Sequence, residues 1–148
     1  MKLCLSKWFE KYTGLAILPL RIALGIVFLI HGAQKLFGLF GGGGISGTAG
    51  FLSSLGFPAA MFLAVILAIV EFFGGLFILT GLFTRYSALL IAIDMIIAIL
   101  TVHLSKGFFA GNGGYEFVLT LLLVAVALLF SGAGKYLSLE KAMFKKEF

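Results

Sequence analysis

The chain has 148 residues, 61% of them hydrophobic and only 11% charged, with 17 phenylalanines, one cysteine and a net charge of +5. A mean hydropathy of +1.18 lies far from the balance of a soluble globular domain and marks an integral membrane protein. The lone Cys4 excludes an internal disulfide, a CxxC dithiol and a cysteine zinc site built from this chain alone. Its basic residues sit at the two ends and beside apolar runs, with no aromatic-interleaved basic face, which argues against a nucleic-acid partner.

The chain opens on MKLC, but no small-residue cleavage site follows a short apolar core, so this segment is read as retained. Trp8, Phe9 and Tyr12 then fall at a membrane interface. A helical crossing takes roughly 20 apolar residues, and the first such run is 14–37. It carries Arg21, His31, Gln34 and Lys35. On a wheel of about 100° per residue, Arg21 shares a stripe with Gly25, Phe28, Gly32 and Lys35. The small residues on that stripe let a neighbouring helix approach. The glycines of LFGGGGISGTAG end the helix, and FLSSLGFP reads as a short interfacial turn or re-entrant piece. Pro58 suits the first turn of the next helix.

The second run, 59–83, places Glu71 on a stripe with Ala64, Ala68, Gly75 and Ile78. Only Thr84 and Arg85 separate it from the third, 86–105, so these two form a tight antiparallel hairpin. In the third run Asp94 shares a face with Ser87, Ala98, Thr101 and Ser105, while His103 lies about 180° around the wheel. That placement gives His103 a structural role. A polar, glycine-rich connection containing Asn112 leads to a shorter run, 115–131, that begins beside Glu116. In the tail, 135–148, Tyr136, Leu139 and Met143 recur at helical spacing among lysines. It reads as an amphipathic segment on the cytoplasmic surface, or as a partner-binding tail.

These elements predict an all-α integral membrane protein: one domain, 1–148, folded as an antiparallel four-helix bundle. With both termini inside, the cytoplasmic side holds Lys2, Lys7, Lys11, Arg85, Lys135, Lys141, Lys145 and Lys146, and the outside only Lys35 and Lys106. That asymmetry predicts an N-in, C-in orientation.

Ionisable residues inside a membrane are costly and usually face one another or a wet cavity. Two polar levels follow. Arg21, Glu71 and Asp94 form an expected buried centre, with an Arg21–Glu71 ion pair that Asp94 joins. His31, Gln34, Lys35, Asn112 and Glu116 gather at an expected outer mouth. This mouth is either a solvated Lys35–Glu116 pair or a site for a small polar or quinone-like ligand. The two histidines lack metal-ligand spacing, so no metal or haem site is expected. No phosphate loop and no nucleophile turn is present, and no self-contained catalytic motif emerges.

The stretches RIALGIVFLIHGAQKLFG, Gly56 to Pro58, EFFGGLFILTGLFTR, GGYEFVLTLLL and SGAGKYLSLEK, in this order and spacing, resemble the DoxX family of small four-span membrane proteins. The matching positions are Arg21, Gly25, Gly32, Lys35, Glu71, Gly75, Gly81, Arg85, Glu116, Gly132, Gly134 and Ser138. The resemblance implies a four-helix membrane bundle in the plasma membrane and an association with redox work. Family members are described as oxidoreductases, as a subunit of a thiosulfate:quinone oxidoreductase, or as partners in complexes handling oxidative and thiol stress. The missing cysteine pair argues against direct disulfide exchange. Three roles therefore stand side by side: a redox-related protein that binds a quinone within the bundle, a noncatalytic adaptor for a soluble redox partner, and a transporter of a small solute or proton. Any of them is compatible with a homo-oligomer.

Overall fold

The structure is a computed structural model that describes residues 12–145. MKLC, Trp8, Phe9 and the last three residues of the tail lie outside the described residues. A single 3-10 turn, Thr13–Ala16, leads into helix α1, Ile17–Phe37. Pro19 is tolerated in its first turn, where a backbone N–H has no intrahelical partner. The helix stops at Gly38, whose φ of 70° is left-handed.

The glycine-rich stretch that follows is a helix, α2, Gly44–Ser54. Its glycines lower intrinsic propensity, so packing must hold it. It turns Thr48, Ala49 and Leu52 inward, and Ala49 and Leu52 cluster with Ala64 among Ile45, Phe57, Ala60 and Leu63. Helix α3, Ala60–Thr80, ends at Gly81, and α4, Thr84–Ala98, begins three residues later. A π-helical turn, Ile99–His103, and a 3-10 turn, Leu104–Lys106, prolong α4. Helices α5, Glu116–Ser131, and α6, Leu139–Phe144, complete the chain.

No strand occurs among the described residues. Among the described residues three helical stretches are long and apolar enough to cross a membrane: Gly14–Phe37, Ala60–Thr80 and Thr84–Lys106. The apolar α5 is shorter. Helix α1 packs against α3, α3 against α4, α4 against α5, and α1 touches α5. The core between them is built from Leu24, Phe28, Ile78, Ile91, Met95, Val118 and Leu128. Outward faces are apolar too, with Ile26, Ile66, Phe73, Ile93 and Leu123 exposed, as lipid contact requires.

The α1–α3 contact is a backbone seam. A Cβ on Gly32 would lie 2.2 Å from the Phe72 amide nitrogen, and one on Gly75 would lie 2.3 Å from that of Leu29. Gly25 faces Leu79 in the same way. The two stripes of small residues expected from the sequence therefore meet. They fix an antiparallel register in which Gly32 stands opposite Phe72 and Gly25 opposite Leu79.

Arg85, at the start of α4, donates from Nη1 to the carbonyls of Leu129 and Phe130, both at 2.7 Å. These are last-turn carbonyls of α5 that no helical N–H can reach, and a cation there also meets the negative end of the helix dipole. Arg85→Met is expected to lower stability by about 2 kcal/mol, on the scale of hydrogen bonds to a charged group. Thermal unfolding in detergent micelles checks this, and an unchanged midpoint would refute the cap.

Candidate functional site

The polar residues sort into two places, but not those expected. Arg21 is fully buried and spends its guanidinium on backbone carbonyls. Nε donates to Ile78 at 3.0 Å, Nη1 to Ala133 at 2.9 Å and Tyr136 at 3.0 Å, and Nη2 to Leu79 at 3.0 Å and Leu137 at 2.8 Å. Ile78 and Leu79 belong to the last turn of α3, and the other acceptors to the segment between α5 and α6. The fork of donors thus ties three parts of the chain together. Gly81 makes room for it, because a Cβ there would lie 2.4 Å from Nη2. The Gly81 carbonyl in turn accepts from the Glu140 amide at 3.0 Å and from Ser138 Oγ at 3.2 Å. Glu140 is fully buried and its charge acts on Arg21.

The expected Arg21–Glu71 ion pair is therefore not formed. In the register set by the glycine seam, Arg21 lies level with the end of α3, and Glu71 lies roughly 14 Å back along that helix at 1.5 Å per residue. The cation that reaches Glu71 is Lys35, whose Nζ meets Oε1 directly. Glu116, the partner of Lys35 in one of the two readings of the outer mouth, lines a different cleft from Lys35. Asp94 joins this group from α4, within hydrogen-bonding range of the Glu71 carboxyl and near Lys35. Glu71 is almost entirely buried, while the Lys35 side chain is 27% exposed. The ion pair is thus closed on the carboxylate side and partly open along the Lys35 side chain.

Lys35 lines a cleft of about 330 Å³ with Gln34, Gly42, Gly43, Gly47, Thr48 and Phe51. Gln34 Nε2 donates to the Phe40 carbonyl at 3.2 Å, which holds its amide beside the glycines. A Cβ on Gly42 would lie 2.4 Å from the Gln34 carbonyl oxygen, so only glycine lets the chain fold back here. Thr48, Phe51 and the lining glycines are not among the site residues expected from the sequence, where LFGGGGISGTAG reads as a helix end and FLSSLGFP as an interfacial turn or re-entrant piece. Their signal was a glycine-rich reversal immediately after two hydrogen-bond donors.

The remaining residues of the expected mouth are separate. His31 is exposed and donates from Nδ1 to Val27 of its own helix at 2.9 Å. Asn112 is exposed in the α4–α5 connection. Glu116 lines a second cleft of about 540 Å³ with Phe108, Ala110, Phe117, Leu119, Thr120 and Leu123. The single mouth is thus two clefts, with His31 and Asn112 in neither lining. His103 donates from Nδ1 to the Gly113 carbonyl at 2.7 Å and ties α4 to that connection, a structural role. Among the described residues no cluster of three metal-ligating side chains occurs.

A helical membrane protein with Lys35, Glu71 and Asp94 gathered beside a glycine-walled cleft can be set against known proteins. The DoxX family model matches residues 16–104. The chain is 36% identical to the Bacillus subtilis protein named "Putative oxidoreductase CatD", over 95% of this chain and 93% of that one. It is 33% identical to the uncharacterized membrane protein Rv3486 of Mycobacterium tuberculosis, over 88% of this chain and 83% of the relative. It is 31% identical to the inner membrane protein YqjF of Escherichia coli, over 93% and 98% of the two chains. No solved structure matches significantly. Family match and full-length likeness agree, and the chain belongs to the DoxX family.

Proposed function

We propose that this DoxX protein resides in the plasma membrane as an antiparallel four-helix bundle with both termini on the cytoplasmic side. In this reading it serves a redox reaction by binding a quinone or similar ring-bearing apolar ligand in the Gln34–Lys35 cleft. The observation that carries it is the partly exposed Lys35 of the Lys35–Glu71 pair, which lines a cleft with Gln34, Thr48 and Phe51. Quinone carbonyls accept hydrogen bonds, and Lys35 and Gln34 are donors. The glycine wall admits a flat ring, and Phe51 offers it an aromatic face. The cleft is at the small end of ligand pockets, about 300–1,000 Å³, which suits a head group whose apolar tail lies in lipid. The oxidoreductase name of the Bacillus relative supports the redox part of the reading.

Mass spectrometry of protein extracted gently from its native membrane tests this. Wild-type protein is expected to retain quinone well above its content in bulk lipid, and Lys35→Met and Gln34→Leu to lose at least about tenfold, the equivalent of one good hydrogen bond. Quinone at the bulk-lipid level in wild type, or full retention by both variants, would defeat the proposal.

A further inference from the structure

Glu71 and Asp94 stand at matching heights on the α3–α4 hairpin, each about 15 Å from the connection at 1.5 Å per residue. Between them and Lys35 there are two carboxyls and one ammonium. Lys35 meets Oε1 of Glu71. Glu71 Oε2 and Asp94 Oδ2 are both buried, and neither receives a hydrogen bond from any nitrogen or hydroxyl donor in the structure. An anion's oxygen buried without a donor is expensive, and two carboxylates sharing one site cannot both stay ionised.

The other cations of the packed helices are engaged elsewhere: Arg85 of α4 on the carbonyls of Leu129 and Phe130, and His103 on that of Gly113. On α1, Arg21 has all its donors engaged at the other end of α3, and His31 is exposed and bonded to Val27. Helix α2 carries no titratable residue, and the titratable residue of α5 is Glu116 at its first position. Among the described residues no set of three metal-ligating side chains occurs to hold a metal ion. A carboxyl O–H pointing from one acid to the other supplies the missing donor. It also brings the group of two acids and one ammonium to zero net charge.

We infer that Glu71 and Asp94 share a single proton and, with Lys35, form a net-neutral proton-binding site within the membrane-spanning helices. Glu71 and Asp94 are not among the residues that line the cleft, so the shared proton does not depend on what occupies it. Its failure and that of the quinone reading are therefore separable.

Infrared difference spectroscopy of the full chain in lipid nanodiscs, with and without deuterium exchange, tests the inference. Wild-type protein at neutral pH is expected to show the C=O band of one protonated carboxyl, shifting in D2O. In Glu71→Gln and in Asp94→Asn the remaining acid pairs with Lys35 as a carboxylate, so the band disappears. In Lys35→Met both acids need a proton, and the band doubles. Absence of the band in wild type overturns the inference. So does a band that survives both acid substitutions, which would belong to another buried acid such as Glu140, or a band that fails to grow in Lys35→Met. Should the variants not fold, wild type decides: the band persists when sodium or lithium is added at fixed pH, and its loss would assign the site to a metal cation instead.

Discussion

Arg21→Met is expected to cost about 4–5 kcal/mol of stability, at the diagnostic extreme of single substitutions, and to leave little folded protein in detergent. The reason is that one side chain serves five acceptors at 2.8–3.0 Å. Removing a donor from a buried carbonyl costs about 1–3 kcal/mol, and partial access to water at this end of the molecule brings the sum below full additivity. Arg21→Lys is expected to recover less than half of the loss, because an ammonium has three donors and no planar fork. Denaturation by SDS at constant lipid-to-detergent ratio measures both. A double-mutant cycle with Glu71→Gln is expected to give a coupling energy near zero, since the two residues share no partner. A large coupling, or wild-type stability in Arg21→Lys, would sink the clamp.

Second in size is the seam between α1 and α3. Gly75→Ala is expected to destabilise by about 3 kcal/mol, the upper range for overpacking. The new methyl would stand within 2.3 Å of one backbone nitrogen on α1 and within 2.9 Å of the Gly25 carbonyl oxygen. Gly32→Ala should behave similarly, its nearest neighbours being the backbone of Phe72. The helices cannot separate there without carrying Lys35 away from Glu71, so quinone retention should fall together with stability. Gly50→Ala in α2 is the control, because nothing lies within 4 Å of its new methyl. It should be neutral or gain up to about 1 kcal/mol from helix propensity. Equal losses at Gly50 and Gly75 would show that backbone entropy, and not close approach, governs these glycines.

These two results also mark what the sequence revealed and what it concealed. Four apolar runs with small-residue stripes were legible, because lipid exposure and close helix approach each leave a periodic mark in composition. The stripes Gly25–Gly32 and Ala64–Gly75 were named from the wheel alone, and they meet. What the wheel does not carry is register. Taking depth from the ends of the apolar runs set Arg21 level with Glu71, whereas the glycine contacts set Lys35 there instead. The register of the two antiparallel helices gives Glu71 to Lys35 and leaves Arg21 to backbone carbonyls. Helix α2 is hidden for another reason: three of its eleven residues are glycine and it follows three more, and packing of Thr48, Ala49 and Leu52 holds it helical. The cleft it walls was invisible with it. Backbone carbonyls were also outside the reckoning, since a reading of side chains looks for an acid beside an arginine.

The Arg21 clamp sets an order on the making of this protein. Two of its acceptors lie 57 and 58 residues further along the chain, and the other three lie 112 to 116 residues away. During synthesis the guanidinium enters the bilayer in the first helix, long before the segment that completes its shell exists. Until the end of α5 has been made and turned back, the charge must stay at the water interface or draw water in with it. Closure of the clamp is therefore the event that lets the first helix settle to its final depth, and a chain ending before Ala133 could not reach it.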